Sequence, residues 1–211
     1  MIKNIILDFG GVIYAIDHQR TKNAFSDLGL QSFDELYGHT IQTKLFEEFE
    51  KGNISPSVFR GEIRKFISKT VSDAELDTAW NALLIDYNLS SLRAISYAKK
   101  HYRLFLLSNT NQIHFRHYMA QLEAMNQKET FLNSFSKIYF SHQIGMRKPD
   151  LEIYENVLRE NNLVADQCLF IDDLNVNIVA SRRAGLPAFL LEEGMELASL
   201  FTSEGLLKIG G

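Results

Sequence analysis

The chain has 211 residues, a formal net charge of −4 from 22 Lys and Arg against 26 Asp and Glu, and a hydrophobic share of 45%. That length buries a sizeable core as one domain with a large insertion or as two small ones, and 15 Phe, 8 Tyr and 1 Trp exclude disorder as the main state. The acidic balance disfavours a nucleic-acid partner, no apolar run approaches a signal peptide or a membrane span, and the lone Cys168 makes no internal disulfide, so a cytoplasmic protein without membrane contact is expected.

In chain order, Asn4–Leu7 predicts a buried strand, and Arg103–Leu107, Lys137–Phe140, Cys168–Ile171 and Ala188–Leu191 predict four more. None alternates apolar with polar residues, which points to strands covered on both faces and so to a parallel sheet. Helix-length segments such as Leu151–Asn161 and Val176–Ala184 lie between them, the latter ended by Gly185 and Pro187. Repeated alternation of strand and helix predicts an α/β, Rossmann-like parallel sheet.

From about Ala15 to Tyr87 that rhythm stops, and no strand is predicted. Ser32-Phe33-Asp34-Glu35 and Ser72-Asp73-Ala74-Glu75 match capping boxes, and Ser55-Pro56 sets a cap before a first-turn proline. Phe59, Ile63, Phe66 and Ile67 fall on one helix face, and Leu76, Ala79, Trp80, Leu83 and Leu84 on another. An all-helical cap over 15–87 is therefore expected, inserted into a core made of 1–14 and 88–211.

In an open parallel sheet ligands bind beyond the carboxyl ends of the strands. Strand one runs into Asp8-Phe9-Gly10-Gly11-Val12, which reads either as a carboxylate at a crevice or as an ordinary turn. Strand two runs into Ser108-Asn109-Thr110-Asn111, a hydroxyl and amides at a helix start that suit an anion or a plain helix cap. After strand three comes Gly145-Met146-Arg147-Lys148-Pro149, with two cations in a loop. Strand four ends in Asp172-Asp173, adjacent acids that suit Mg²⁺ or simply a helix N-terminus. Together these strand ends carry a nucleophile, a phosphate binder, a charge neutraliser and metal ligands, the equipment of phosphoryl chemistry.

These four segments, in this order and spacing, resemble the motifs of the haloacid dehalogenase-like hydrolases over essentially the whole chain. The helical block lies where that family inserts its helical cap. The branch it resembles most contains sugar phosphatases such as glucose-1-phosphatase, through the stretch from Ser108 to His114 and the Gly145–Pro149 run. The resemblance implies that Asp8 attacks phosphorus, that Ser108 and the Asn109 amide hold the phosphate, and that Lys148 neutralises charge. It implies Mg²⁺ on Asp8, the carbonyl of Gly10, Asp173 directly, and Asp172 directly or through water. His114 is assigned to substrate contact.

One position departs from the family pattern. Most family phosphatases place a second Asp, the general acid and base, where this chain has Gly10. Three outcomes stay open: Asp17 or His18 of the cap substitutes, the substrate has a good leaving group such as the anomeric oxygen of a sugar 1-phosphate, or the protein is a weak or inactive enzyme. The expected activity is Mg²⁺-dependent hydrolysis of a small phosphorylated metabolite, with a sugar phosphate favoured. The competing readings are a 2-haloacid dehalogenase and a degenerate phosphate-binding protein. The turn Glu50-Lys51-Gly52-Asn53-Ile54, similar to a cap turn of the same branch, is read as structural. Oligomeric state is not legible in the sequence.

Overall fold

The computed structural model describes residues 1–30 and 40–208. Strands β1 (Asn4–Leu7), β4 (Arg103–Ser108), β5 (Lys137–Phe140), β6 (Cys168–Asp172) and β7 (Ala188–Leu190) form one sheet in the order β5-β4-β1-β6-β7. Every pair is parallel, and β1 sits centrally, with Ile6 opposite Phe105 on one side and Phe170 on the other. All strands therefore present their carboxyl ends along one edge.

Both faces are covered, as the unbroken apolar strands predict. Ile5, Leu7, Leu104 and Leu106 pack with Ile95 and Ala98 of α5 (Leu89–Ala98) and Tyr118 and Leu122 of α6 (Gln112–Ala124). Ile6, Phe105, Leu107 and Phe170 pack with Ile153 and Val157 of α9 (Leu151–Glu160) and Ile178 of α10 (Asn175–Arg183). Short helices α7 (Lys128–Leu132) and α8 (Ser141–Ile144) flank β5.

Between β1 and α5 lie α1 (His18–Asp27), α2 (Thr40–Glu50), α3 (Pro56–Arg64) and α4 (Asp73–Asn81). They close a second apolar cluster, with Phe25, Phe46, Phe49, Phe59, Ile63 and Trp80 buried, which Ile113 of α6 joins from the core. Ser55 caps α3, and Ser72 and Glu75 form the reciprocal capping box at the start of α4. The box at Ser32–Glu35 lies outside the described residues.

Two expectations for this block need correction. It carries strand at both ends: β2 (Tyr14–Ile16) pairs antiparallel with β3 (Leu84–Tyr87). These strands are three and four residues long, too short to display a period, and Leu84 continues the helical spacing of α4 by coincidence. Phe66 does not share the buried face of Phe59 and Ile63. Helix α3 ends at Arg64, and Phe66 is 43% exposed. Among the described residues no helix is long and apolar enough to cross a membrane.

Candidate active site

Asp8 leaves β1 at the centre of the carboxyl edge, and Asp172 ends the neighbouring strand β6. Lys148 comes from the loop after α8, and its Nζ lies 2.6 Å from Asp8 Oδ1 and 2.6 Å from Asp172 Oδ2. All three are shut away from solvent, at 7%, 1% and 0% exposure for Asp8, Lys148 and Asp172. Burial pushes the Asp8 carboxyl well above the usual carboxylate range, opposed by Lys148 and reinforced by Asp172 and Asp173. Burial also acts to lower Lys148, but the two carboxylates outweigh it and hold the ammonium charged.

Asp8, Asp172 and Asp173 each offer an oxygen within 4.8 Å of the others. Burial, then Asp172, raise Asp173 to about 6. Three carboxylates against one ammonium leave uncompensated negative charge in a hard-oxygen donor set, which fits Mg²⁺. The acids are not equivalent. Asp172 Oδ1 already accepts from the Leu174 amide at 2.8 Å, both its oxygens accept from Asn177 Nδ2 at 3.0 Å, and Oδ2 accepts from Lys148. Asp173 is the freer ligand. Gly11, at φ +75°, runs against it so closely that a Cβ would sit 2.1 Å from Asp173 Oδ2.

The Ser108–Asn111 segment divides its duties. Ser108 is buried at the end of β4. Asn109 Oδ1 accepts from the Lys148 amide and its Nδ2 donates to the Lys148 carbonyl, both at 2.8 Å. Thr110 is tied to Ser141 through its amide and carbonyl. The cap of α6 is Asn111, whose Oδ1 accepts from the amides of Ile113 and His114 at 3.1 Å.

A cavity of about 140 Å³ opens beside this edge, lined by Gly10, His18, Glu50, Ser108, Asn109 and His114, with apolar walls from Tyr14, Ile16, Trp80 and Leu84 among others. A larger groove of about 690 Å³, along α5 and α7, is bounded by Leu89, Leu92, Met125 and Phe131 and has no carboxylate or imidazole in its lining. Chemistry therefore points to the smaller space.

The sequence candidates fare differently here. His114 lines the cavity, but both its nitrogens are engaged. Nε2 lies 3.0 Å from the Trp80 carbonyl and so must donate, and Nδ1 accepts from Asn111 Nδ2 at 3.0 Å. Burial lowers its pKa to about 4, so the ring is neutral and serves as packing against Trp80. Asp17 is exposed, outside the cavity, and accepts from the Gln19 amide as the cap of α1. His18 reaches the cavity edge. Glu50, read as part of a structural turn, is the residue sequence reasoning missed. Its Oε2 accepts from Arg147 Nε at 2.9 Å, and Glu47 joins the same guanidinium. A signal was present: acids crowd the last turn of α2, where the helix dipole opposes them unless a cation holds them.

A family model described as haloacid dehalogenase-like hydrolase matches residues 5–191. The chain belongs to that family. A D-ribitol-5-phosphate phosphatase from Bacteroides thetaiotaomicron is 32% identical, over 93% of this chain and 95% of its own length. A sesquiterpene phosphatase from Aspergillus oryzae is 27% identical, over 92% of this chain and 91% of its own. A haloacid dehalogenase family enzyme from B. thetaiotaomicron, solved with magnesium and inorganic phosphate, superposes with a TM-score of 0.84 at 31% identity, covering 96% of this chain and 100% of that one. The L-2-haloacid dehalogenase of Xanthobacter autotrophicus, at 15% identity and a TM-score of 0.58, shares the fold.

Proposed function

We propose that this haloacid dehalogenase-like hydrolase is a Mg²⁺-dependent phosphomonoesterase for a small phosphorylated sugar or sugar alcohol, working through an aspartyl-phosphate on Asp8. The observation that carries this reading is Lys148 held 2.6 Å from both Asp8 and Asp172. Asp8 attacks phosphorus, Lys148 offsets the charge brought together by carboxylate and phosphate, and Ser108 with the Asn109 amide holds phosphate oxygens. Mg²⁺ on Asp8, the Gly10 carbonyl, Asp173 and, directly or through water, Asp172 would polarise the phosphoryl group.

Residues 15–87 serve as the cap over a core of 1–14 and 88–211, and exclude bulk water from the transfer. The cavity, about 140 Å³, is well below the roughly 300–1,000 Å³ of drug-sized ligand pockets. It suits a few-carbon substrate and disfavours a sesquiterpene phosphate. The relative that acts on D-ribitol 5-phosphate supports a terminal alkyl phosphate as readily as a sugar 1-phosphate. A dehalogenase reading is disfavoured by the three clustered acids, which would repel a carboxylate substrate.

Phosphate release from a panel of pentitol, pentose and hexose phosphates, with Mg²⁺ or with EDTA, tests the proposal on wild type and Asp8→Asn. Mg²⁺-dependent release lost in Asp8→Asn is the expected result. Chloride release from 2-chloropropionate with no phosphate release would replace it by the dehalogenase.

A further inference from the structure

Gly10 leaves the proposed reaction without a proton donor for the departing oxygen at that position, and most polar groups of the cavity are already engaged. His114 has no free nitrogen. The Tyr14 hydroxyl is bound to Gln121 and pushed up to about 12 by burial. The Tyr118 hydroxyl donates to Thr110 Oγ1 and is raised by burial. Asp17 stands outside the cavity as a helix cap. Two cavity-lining groups are left, Glu50 and His18.

Glu50 is the better built. It is the last residue of α2, and Oε2 is fixed by Arg147. Among the described residues Oε1 has no hydrogen-bond partner. Two further contacts anchor that helix end to the core. The Gly52 backbone runs so close to the His142 carbonyl that a Cβ there would sit 2.1 Å from its oxygen, and Lys51 pairs with Asp150 at 3.0 Å. Arg147 adjoins Lys148, so one loop fixes both the partner of the nucleophile and the carboxyl that faces the cavity. His18, by contrast, is exposed at the first turn of α1.

We propose that Glu50 is the general acid and base of this site, supplied by the cap in place of the missing side chain at Gly10. The proposal rests on the phosphatase reading above. In the first half-reaction the Glu50 carboxyl gives its proton to the bridging oxygen as the P–O bond breaks and the Asp8–P bond forms, releasing an alcohol and leaving Glu50 as carboxylate. In the second, Glu50 carboxylate takes a proton from the water that attacks phosphorus, the Asp8–P bond breaks, and inorganic phosphate leaves with the Glu50 carboxyl restored. The charged groups around it are Arg147 and Lys148, which lower its pKa, and Glu47, which raises it, with His18 across the cavity; burial is the largest influence, and the result is a raised pKa. A carboxyl displaced toward neutrality suits both proton transfers. It also removes the need for an anomeric leaving group.

The test compares wild type, Glu50→Gln, Glu50→Asp and His18→Asn on p-nitrophenyl phosphate and on a pentitol 5-phosphate, with Mg²⁺. Nitrophenolate leaves unaided, whereas the alkoxide needs a proton. Glu50→Gln is expected to release about one nitrophenol per chain in a fast burst and then stall, with the phosphorylated chain visible by intact mass. On the pentitol ester it should show no burst and a kcat lowered roughly 10²–10⁴-fold. Glu50→Asp, which keeps the charge against Arg147, should slow the pentitol ester less. Burst-and-stall in His18→Asn but not in Glu50→Gln, wild-type turnover of the pentitol ester by Glu50→Gln, or loss of the nitrophenol burst in a folded Glu50→Gln would each overturn the proposal. Failure of the phosphatase reading itself looks different: wild type would release no phosphate from either ester.

Discussion

Asn109 grips Lys148 by its main chain, accepting from its amide and donating to its carbonyl, both at 2.8 Å. A side chain from the end of β4 thus sets where the ammonium of a distant loop can reach. Asn109→Ala removes both bonds and should lower unfolding free energy by roughly 1–3 kcal/mol. The looser Lys148 should cost up to about 10²-fold in kcat, with less effect on KM. Asn109→Asp keeps the acceptor and loses the donor, so it should fall between the two. Urea unfolding beside steady-state kinetics separates these outcomes.

Lys148 also carries a stability consequence. Lys148→Met leaves Asp8 and Asp172 facing each other in the interior, and breaking such a buried arrangement costs about 3–5 kcal/mol. The loss should depend on pH. Asp8, whose folded pKa burial raises, holds a proton that the unfolded chain has released, so folding weakens as pH rises through that window. The penalty measured by urea unfolding in EDTA should be smaller at pH 5 than at pH 8. An equal penalty at both would mean that Asp8 does not sense the loss of its ammonium partner.

Neighbouring glycines make a contrasting pair. At Gly11 a methyl would meet Asp173 Oδ2 at 2.1 Å and the backbone is left-handed, whereas at Gly10 the nearest atom is Ile16 Cδ1 at 3.4 Å. Gly11→Ala should displace Asp173 and raise the Mg²⁺ concentration for half-maximal activity about 10–100-fold, the scale seen when a metal ligand's support is lost. Gly10→Ala should change stability by less than about 1 kcal/mol. A metal titration and a melting curve on each variant check the pair.

His114 predicts the acid limb of stability. Its folded pKa is lowered to about 4 against about 6.5 when unfolded. Below pH 6.5 the unfolded chain takes up a proton that the folded one refuses, so stability drains away as pH falls from about 6.5 toward 4. This residue alone accounts for on the order of 2 kcal/mol between pH 7 and pH 5. His114→Gln should be less stable at pH 7, having lost the stack on Trp80, yet show a flatter decline. Parallel slopes for variant and wild type would sink this account.

The sheet was legible because its inner strands β1, β4 and β6 are buried on both faces, so apolar runs stand out without any period. The candidate site was legible for a related reason: Asp8 follows β1, Ser108 and Asp172 end β4 and β6, and Lys148 lies in the loop beyond β5 and α8, all where polarity interrupts apolar sequence. The β2–β3 pair was not, since three and four residues carry no readable rhythm. Nor was the division of labour within motifs. Asn109 looked like a phosphate binder, and the structure shows its side chain clamping the Lys148 main chain. His114 looked available until both its hydrogen bonds could be counted. Glu50 was hidden because its partner, Arg147, lies far along the chain and only tertiary contact joins them.

The central place of β1 makes the catalytic edge a record of the chain's whole history. Its strand pairs with β4 on one flank and β6 on the other, so β1 is flanked on both sides only once the chain has been made as far as β6. A chain halted before Cys168 holds Asp8, Asn109 and Lys148, but neither Asp172, which ends β6, nor Asp173 beside it. On the function proposed above, activity reports arrival of β6, and a nascent or clipped chain that stops short of it is expected to stay chemically silent while already owning most of the candidate site.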